Sequence, residues 1–252
     1  MSAAVRVLTW NVQGAQGLDV VRVARVIGST APDVIALQEV QRRQVNQLAT
    51  ALAVNGKRWA LKHWPVIHRA EGLAVLTPHR LVTATSFTLR PRPIWDWRRR
   101  IGIDATIDTG TVVVRVVDVH LSAHDDGGAR AREARLLVDR AADRMPAPII
   151  TGDLNDVPRD GAHAELVGAG WVDAWHRVHG DAPDGATNWT SGDRRGRGPT
   201  QRIDYVLAPS GAVIEHAAVV ADVLGVDVMA GLSDHLPLLA TVRLPEVGRV
   251  DR

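Results

Sequence analysis

The chain of 252 residues contains no cysteine. That excludes disulfides, thiolate nucleophiles and Cys-ligated zinc, and leaves the redox compartment undecided. Aromatics other than Trp are nearly missing, with one Phe and one Tyr against eight Trp. Lysine is as scarce. It occurs only at 57 and 62, so all but two of the 30 basic residues are Arg. Both biases match a GC-rich coding sequence, so Arg abundance alone says little about nucleic acid; only clustering counts. Net charge is a mild +2. No apolar run reaches the ~18 residues of a membrane helix. The opening "MSAAVRVLTWN" lacks the basic region and long apolar core of a signal peptide. No Gly-, Ser- or Pro-rich linker divides the chain. These absences predict a single domain over 1–252, with its core at about 5–244. A cytoplasmic monomer without stable membrane association is the matching expectation.

What is present is an ordinary globular balance, 46% hydrophobic and 23% charged. Alternating or continuous apolar runs mark strands at 5–10, 33–40, 73–77, 81–89, 101–108, 111–121, 147–154, 202–210, 217–222 and 236–244. Helical spacing appears after Asp19, a candidate N-cap, then around Val45 to Leu52, over 129–144, and around Leu166. The two halves repeat a coarse plan of strands with one or two helices. Regular βαβ alternation is missing, which argues against a parallel barrel. The expected fold is α+β: two mostly antiparallel sheets packed face to face, with helices outside.

The informative residues stand where apolar strands end. "LTWN" ends in Asn11, "DVIALQE" in Glu39, "VVDVH" in His120 and "IITGDLN" in Asp153 and Asn155; "LSDHLPLL" opens with Asp234 and His235. One polar residue at a strand end is ordinarily a cap or a turn former. Five such sites, all offering oxygens or imidazoles and no thiols, suit Mg²⁺, or Mn²⁺, and phosphate chemistry. Asp153 and Asn155 are two apart, so an extended backbone would aim both into one pocket.

In order along the chain, "TWNVQG", "LQEV", "EGLAVL", "DVHLSAH", "GDLNDVP", "RIDYVL" and "LSDHLPL" resemble the motifs of the endonuclease/exonuclease/phosphatase superfamily, the DNase I-like proteins. The resemblance implies a four-layer αββα sandwich and Mg²⁺-dependent hydrolysis of phosphate esters. It implies that Glu39 holds the metal, with Asn11 and Asp234 in or near its shell. It pairs His120 with Glu71, and His235 with Asp204. It has Asp153 align or deprotonate the attacking water and Asn155 bind the phosphate. Whether Asp153 or His235 is the base stays open at this level.

Substrate class is less legible. "PRPIWDWRRR" (91–100) interleaves Trp95 and Trp97 with Arg98, Arg99 and Arg100; "DRRGRGP" (193–199) adds Arg195 and Arg197, with Trp189 beneath. Two readings stand for the first cluster: a phosphate clamp with stacking surfaces, or an Arg-rich loop whose rings cover a sheet edge. A polyanion fits both clusters, nucleic acid first. Small phosphorylated metabolites, inositol phosphates and lipid headgroups are the alternatives. A non-catalytic phosphate-binding module would require losses among the motif residues, and none is missing.

Overall fold

In the computed structural model, residues 3–62, 70–90, 92, 96, 99–124, 128–182, 185–190, 197–221 and 223–245 are described. Arg98, Arg195, Trp95 and Trp97 lie outside them.

Two six-stranded sheets pack face to face. One has the order β11-β12-β1-β2-β4-β3 and the other β5-β6-β7-β8-β10-β9. In the first, β1 (Ala4–Asn11) and β2 (Val34–Gln41) are parallel, joined through α1 (Val20–Ser29). Around them stand β3 (Gly56–Leu61), β4 (Glu71–Thr77), β11 (Val213–Val219) and β12 (Leu238–Arg243). In the second, β7 (Val113–His120) and β8 (Ile149–Asp153) are parallel through α3 (Ala129–Ala142). They are flanked by β5 (Arg80–Arg90), β6 (Arg100–Asp108), β9 (Val172–Asp173) and β10 (Asp204–Ala208). Every other pairing is antiparallel. The repeat in the sequence is therefore a structural one. Each half makes a four-strand unit and lends its last two strands to the other half's sheet. The αββα sandwich stands as the fold class.

Side-chain alternation builds the layers. Along β1, Val5 and Val7 enter the core between the sheets, while Leu8 and Trp10 face α1 and α2 (Arg42–Ala51). Along β7, Val114 and Val116 point inward, and Val117 and Val119 pack with Leu137 of α3 and Leu166 of α4 (Gly161–Gly168). Both faces of the central strands are buried, which is why they read as near-continuous apolar runs. Asp19 caps α1 as the sequence predicts, its side chain accepting from Arg22 N–H at 3.0 Å. The strands and helices that escaped the sequence reading are short or peripheral: β3, β9, α5 (Ala174–His179) and α6 (Val226–Leu232). β3, "GKRWAL", is an edge strand that mixes charge with apolar residues, so its alternation is weak.

The inward face changes character toward one end of the sandwich. Val7 gives way to Thr9 and Asn11, Val116 to Asp118 and His120, and Ile149 to Thr151 and Asp153. On β2, Gln38 joins Thr9, Asp118 and Thr151 in a fully buried polar shelf. Gln38 Nε2 donates to Asp118 Oδ1 at 2.6 Å and to Thr9 Oγ1 at 3.1 Å. Among the described residues, Asp118 Oδ2, Gln38 Oε1 and Thr151 Oγ1 have no hydrogen-bond partner. Burial raises the Asp118 carboxyl well above the usual carboxylate range, against the Gln38 hydrogen bond.

A raised folded-state value means the native chain holds a proton that the unfolded chain releases, so stability falls as pH rises above about 4. Asp118→Asn removes that term. The variant should gain about 1–2 kcal/mol at pH 8, or about 2–6 °C in Tm, and little at pH 4. Thermal melts across that range check this; equal shifts at both pH values would sink it.

Candidate active site

The polar shelf leads to a cluster where the C-terminal ends of β1, β7 and β8 meet the start of β10. Register places His120 and Asp204 on either side of Asp153 in one sheet. Gly152 makes this possible. Its φ is +131°, and a Cβ there would lie 1.9 Å from Val119 O. The glycine marks a close crossing inside the strand.

Asp153 is the hub. Its Oδ2 accepts from Asn11 Nδ2 at 3.1 Å across the two sheets, and lies 3.5 Å from His120 Nε2 and 3.8 Å from His235 Nε2. Its Oδ1 accepts from Asn155 N–H at 2.8 Å. Burial pushes the carboxyl up to about 7; His235 opposes this and Asp204 adds to it. His235 Nδ1 lies 2.8 Å from Asp204 Oδ2, which also accepts from Thr187 Oγ1 at 2.6 Å. Burial alone would lower the imidazole's pKa, but Asp204, Asp153 and Asp234 raise it to about 10. The Asn188 side-chain amide lies 2.9 Å from its Nε2. His120 is shifted the other way. Burial, then Lys62, Arg100 and His235, hold it well below its ordinary value.

Glu39 reaches the cluster through a backbone irregularity. Gln38 already faces the other sheet, so alternation would turn Glu39 away. Instead the β2–β4 register shifts between Leu37 and Val40, Glu39 has φ +53°, and its Oε1 stands 3.9 Å from His120 Nε2. Bulges commonly re-aim side chains at functional sites. Among the described residues the Glu39 carboxylate receives no hydrogen bond, and it keeps 28% of its side-chain surface open. A carboxylate at the mouth with no hydrogen bond to satisfy it among the described residues fits a hard divalent cation. Ligand atoms of Asp153, Asp204 and His235 also lie within 4.8 Å of one another, compatible with a metal. Within that trio, however, Asp204 and His235 are already bound to each other, so Glu39 is the more available ligand.

Several expectations need correction. His120 is not propped by Glu71. Its near carboxylates are Asp153 and Glu39, while Glu71 Oε1 accepts from Ala15 N–H at 2.7 Å, though both residues line one recess. Asn155 is not aimed by strand alternation: β8 ends at Asp153, Asn155 has φ +51°, and its amide donates to Leu121 O at 3.2 Å. Asn11 and Asp234 carry hydrogen bonds of their own at this end of the sandwich. Asn11 spends its amide on Asp153 and on Gln13 N–H, and Asp234 accepts from Gln13 Nε2 at 3.0 Å.

The cationic loops also change meaning. Trp189 is buried, its Nε1 donating to Arg197 O at 2.7 Å, so it is no stacking surface. Arg99 ties down the carbonyls of Leu61 and Lys62 at 3.3 and 2.7 Å. Arg100 is 3% exposed, with its charge felt by Glu133, Asp153 and Glu39. Arg197 is exposed. Thr187, Asn188 and Lys62 were missed from sequence, and "ATNW" carries no signal beyond its loop-like composition.

A family model described as Endonuclease/Exonuclease/phosphatase family matches residues 8–235. The chain belongs to that family. Membership brings, at the family level, metal-dependent hydrolysis of phosphate esters. Among solved structures, this family member is similar to an endonuclease/exonuclease/phosphatase from Beutenbergia cavernae DSM 12333. Identity is 26%, the TM-score 0.74, and the match covers 96% of this chain and 72% of that one. It shares its fold with D. rerio TDP2 complexed with single strand DNA product, at 18% identity and TM-score 0.71 over 96% and 99% of the two chains. It also shares it with a Bacteroides thetaiotaomicron mannosyl-6-phosphatase, at 18% and 0.70 over 94% and 99%. No curated protein matches it. No helix among the described residues is long and apolar enough to cross a membrane.

Proposed function

We propose that this family member hydrolyses phosphate esters with Asp153 as the base for an attacking water. The observation that carries this is the placement of the Asp153 carboxylate between Asn11, His120 and His235, with both its oxygens oriented by hydrogen bonds. His235 has Nδ1 committed to Asp204 and Nε2 within 3.8 Å of Asp153, and the surrounding carboxylates keep the ring charged, so it is held as an orienting group. His120 stands between Asp153 and Glu39, where its ring N–H reaches a phosphoryl oxygen. Glu39 is the residue that would hold Mg²⁺ or Mn²⁺, and a bound divalent ion supplies charge neutralisation for the phosphate.

Two substrate readings follow. Phosphodiesters of nucleic acid are the first, from the Arg-bearing loops and from the nucleic-acid product held by the D. rerio fold neighbour. A small phosphorylated metabolite is the second. It is favoured by the burial of Trp189 and Arg100 and the anchoring of Arg99, which withdraw three members of the supposed nucleic-acid surface. The test is a parallel assay with Mg²⁺ of plasmid DNA, single-stranded RNA, inositol polyphosphate and a sugar phosphate. Turnover should vanish with EDTA and return with excess Mg²⁺. Undiminished hydrolysis in EDTA would refute the metal requirement.

A further inference from the structure

A recess of about 10 Å³, room for one water-sized group, opens beside the cluster and is lined by Glu39, Glu71, Gly72, Ile101, His120 and Lys62. Lys62 has no place in the scheme above. It is half-buried at the end of β3, and its backbone is clamped on both sides. Lys62 N–H donates to Glu71 O at 3.2 Å, and Arg99 Nη1 donates to Lys62 O at 2.7 Å. Among the described residues its ammonium has no hydrogen-bond or ion-pair partner. A half-buried ammonium with no protein partner keeps its three donors available to an anion that enters the recess. The residue type adds to the case. Arg fills nearly every basic position of this chain, yet the recess presents one of its two lysines. A compact point charge fits a one-atom recess where a planar guanidinium does not.

Order across the mouth gives the cation its role. His235 and His120 flank Asp153, Glu39 lies beyond His120, and Lys62 lies on that far side with Glu39. Arg100, buried close enough for its charge to bear on Lys62 and on Glu39, adds a second positive charge behind it. We propose that Lys62 is a substrate-binding residue that takes a nonbridging oxygen of the scissile phosphate in this recess, and that it selects a terminal monoester over an internal diester. A monoester carries nearly two negative charges at pH 7 and a diester one. A diester also replaces an oxygen that could enter the recess with a bulkier ester arm. The inference deepens the phosphoesterase reading and rests on it for turnover, but not for phosphate binding.

Calorimetry with inorganic phosphate separates the two. Lys62→Gln should weaken phosphate binding about 30-fold, and Lys62→Arg should recover only part of it. With p-nitrophenyl phosphate and methyl p-nitrophenyl phosphate as matched esters, Lys62→Gln should lower kcat/KM about 30-fold for the monoester and under about threefold for the diester. A merely structural role would lower both alike. Equal losses, or unchanged phosphate affinity in Lys62→Gln, would overturn the assignment. If the wild type binds phosphate through Lys62 yet hydrolyses neither ester, the phosphate site stands and the phosphoesterase reading falls.

Discussion

Asp153→Ala is expected to lower kcat by about 10⁴-fold, the upper end for loss of a positioned acid–base group. The residue has no understudy. Glu39 is nearly 4 Å from His120 on the outer side, and Asp204 is occupied by His235 and Thr187. The alanine variant also strips the acceptor that joins the two sheets through Asn11, 142 residues away in sequence. Stability should nevertheless hold within about 2 kcal/mol, since the lost hydrogen bonds are offset by relief of a buried, poorly solvated carboxyl. Kinetics on whichever ester the wild type turns over, paired with thermal melts, distinguish these outcomes. A kcat within tenfold of wild type, with the fold intact, would remove Asp153 from the chemistry.

His235→Gln should cost about 10³-fold in kcat, and Asp204→Asn about 10². Asp204 is fully buried and reaches no substrate; it acts by holding Nδ1 of the imidazole and keeping the ring charged. Acting through one another, the two changes should not add. The double variant should be no slower than His235→Gln alone. A double variant a further hundredfold slower would mean that Asp204 works independently, for example as a metal ligand within the Asp153–Asp204–His235 trio. Asp204→Ala is the stability probe. It leaves Thr187 Oγ1 and His235 Nδ1 without their acceptor, and about 3–5 kcal/mol should be lost.

Much of the fold was legible because its signals are local. Asp19 before Val20, Val23 and Ile27 announces α1; Pro148 and the Ile pair announce β8. The elements that escaped lie at sheet edges or span two to seven residues, where periodicity has too few turns to register. The candidate site was legible for a related reason. Strand alternation marks where the inward face turns polar, and that change occurs at Thr9–Asn11, Asp118–His120 and Thr151–Asp153 together. The partners of these residues are a different matter. Glu71 and His120 share a recess, yet the imidazole answers to Asp153 and Glu39.

By itself, then, the sequence determined the two-sheet sandwich, its outer helices and the ordered set of polar strand ends, because each depends on spacing along a few residues. Tertiary structure alone decided which of those ends converge. It turned Glu39 into the mouth by a bulge that alternation cannot foresee, and set Asp153 against Asn11 across two sheets. It buried Arg100, which sequence could not tell from a surface group, and brought a lone lysine into the recess. The physical reason is the same in each case. Alternation says which face a side chain takes, and only packing says what stands opposite.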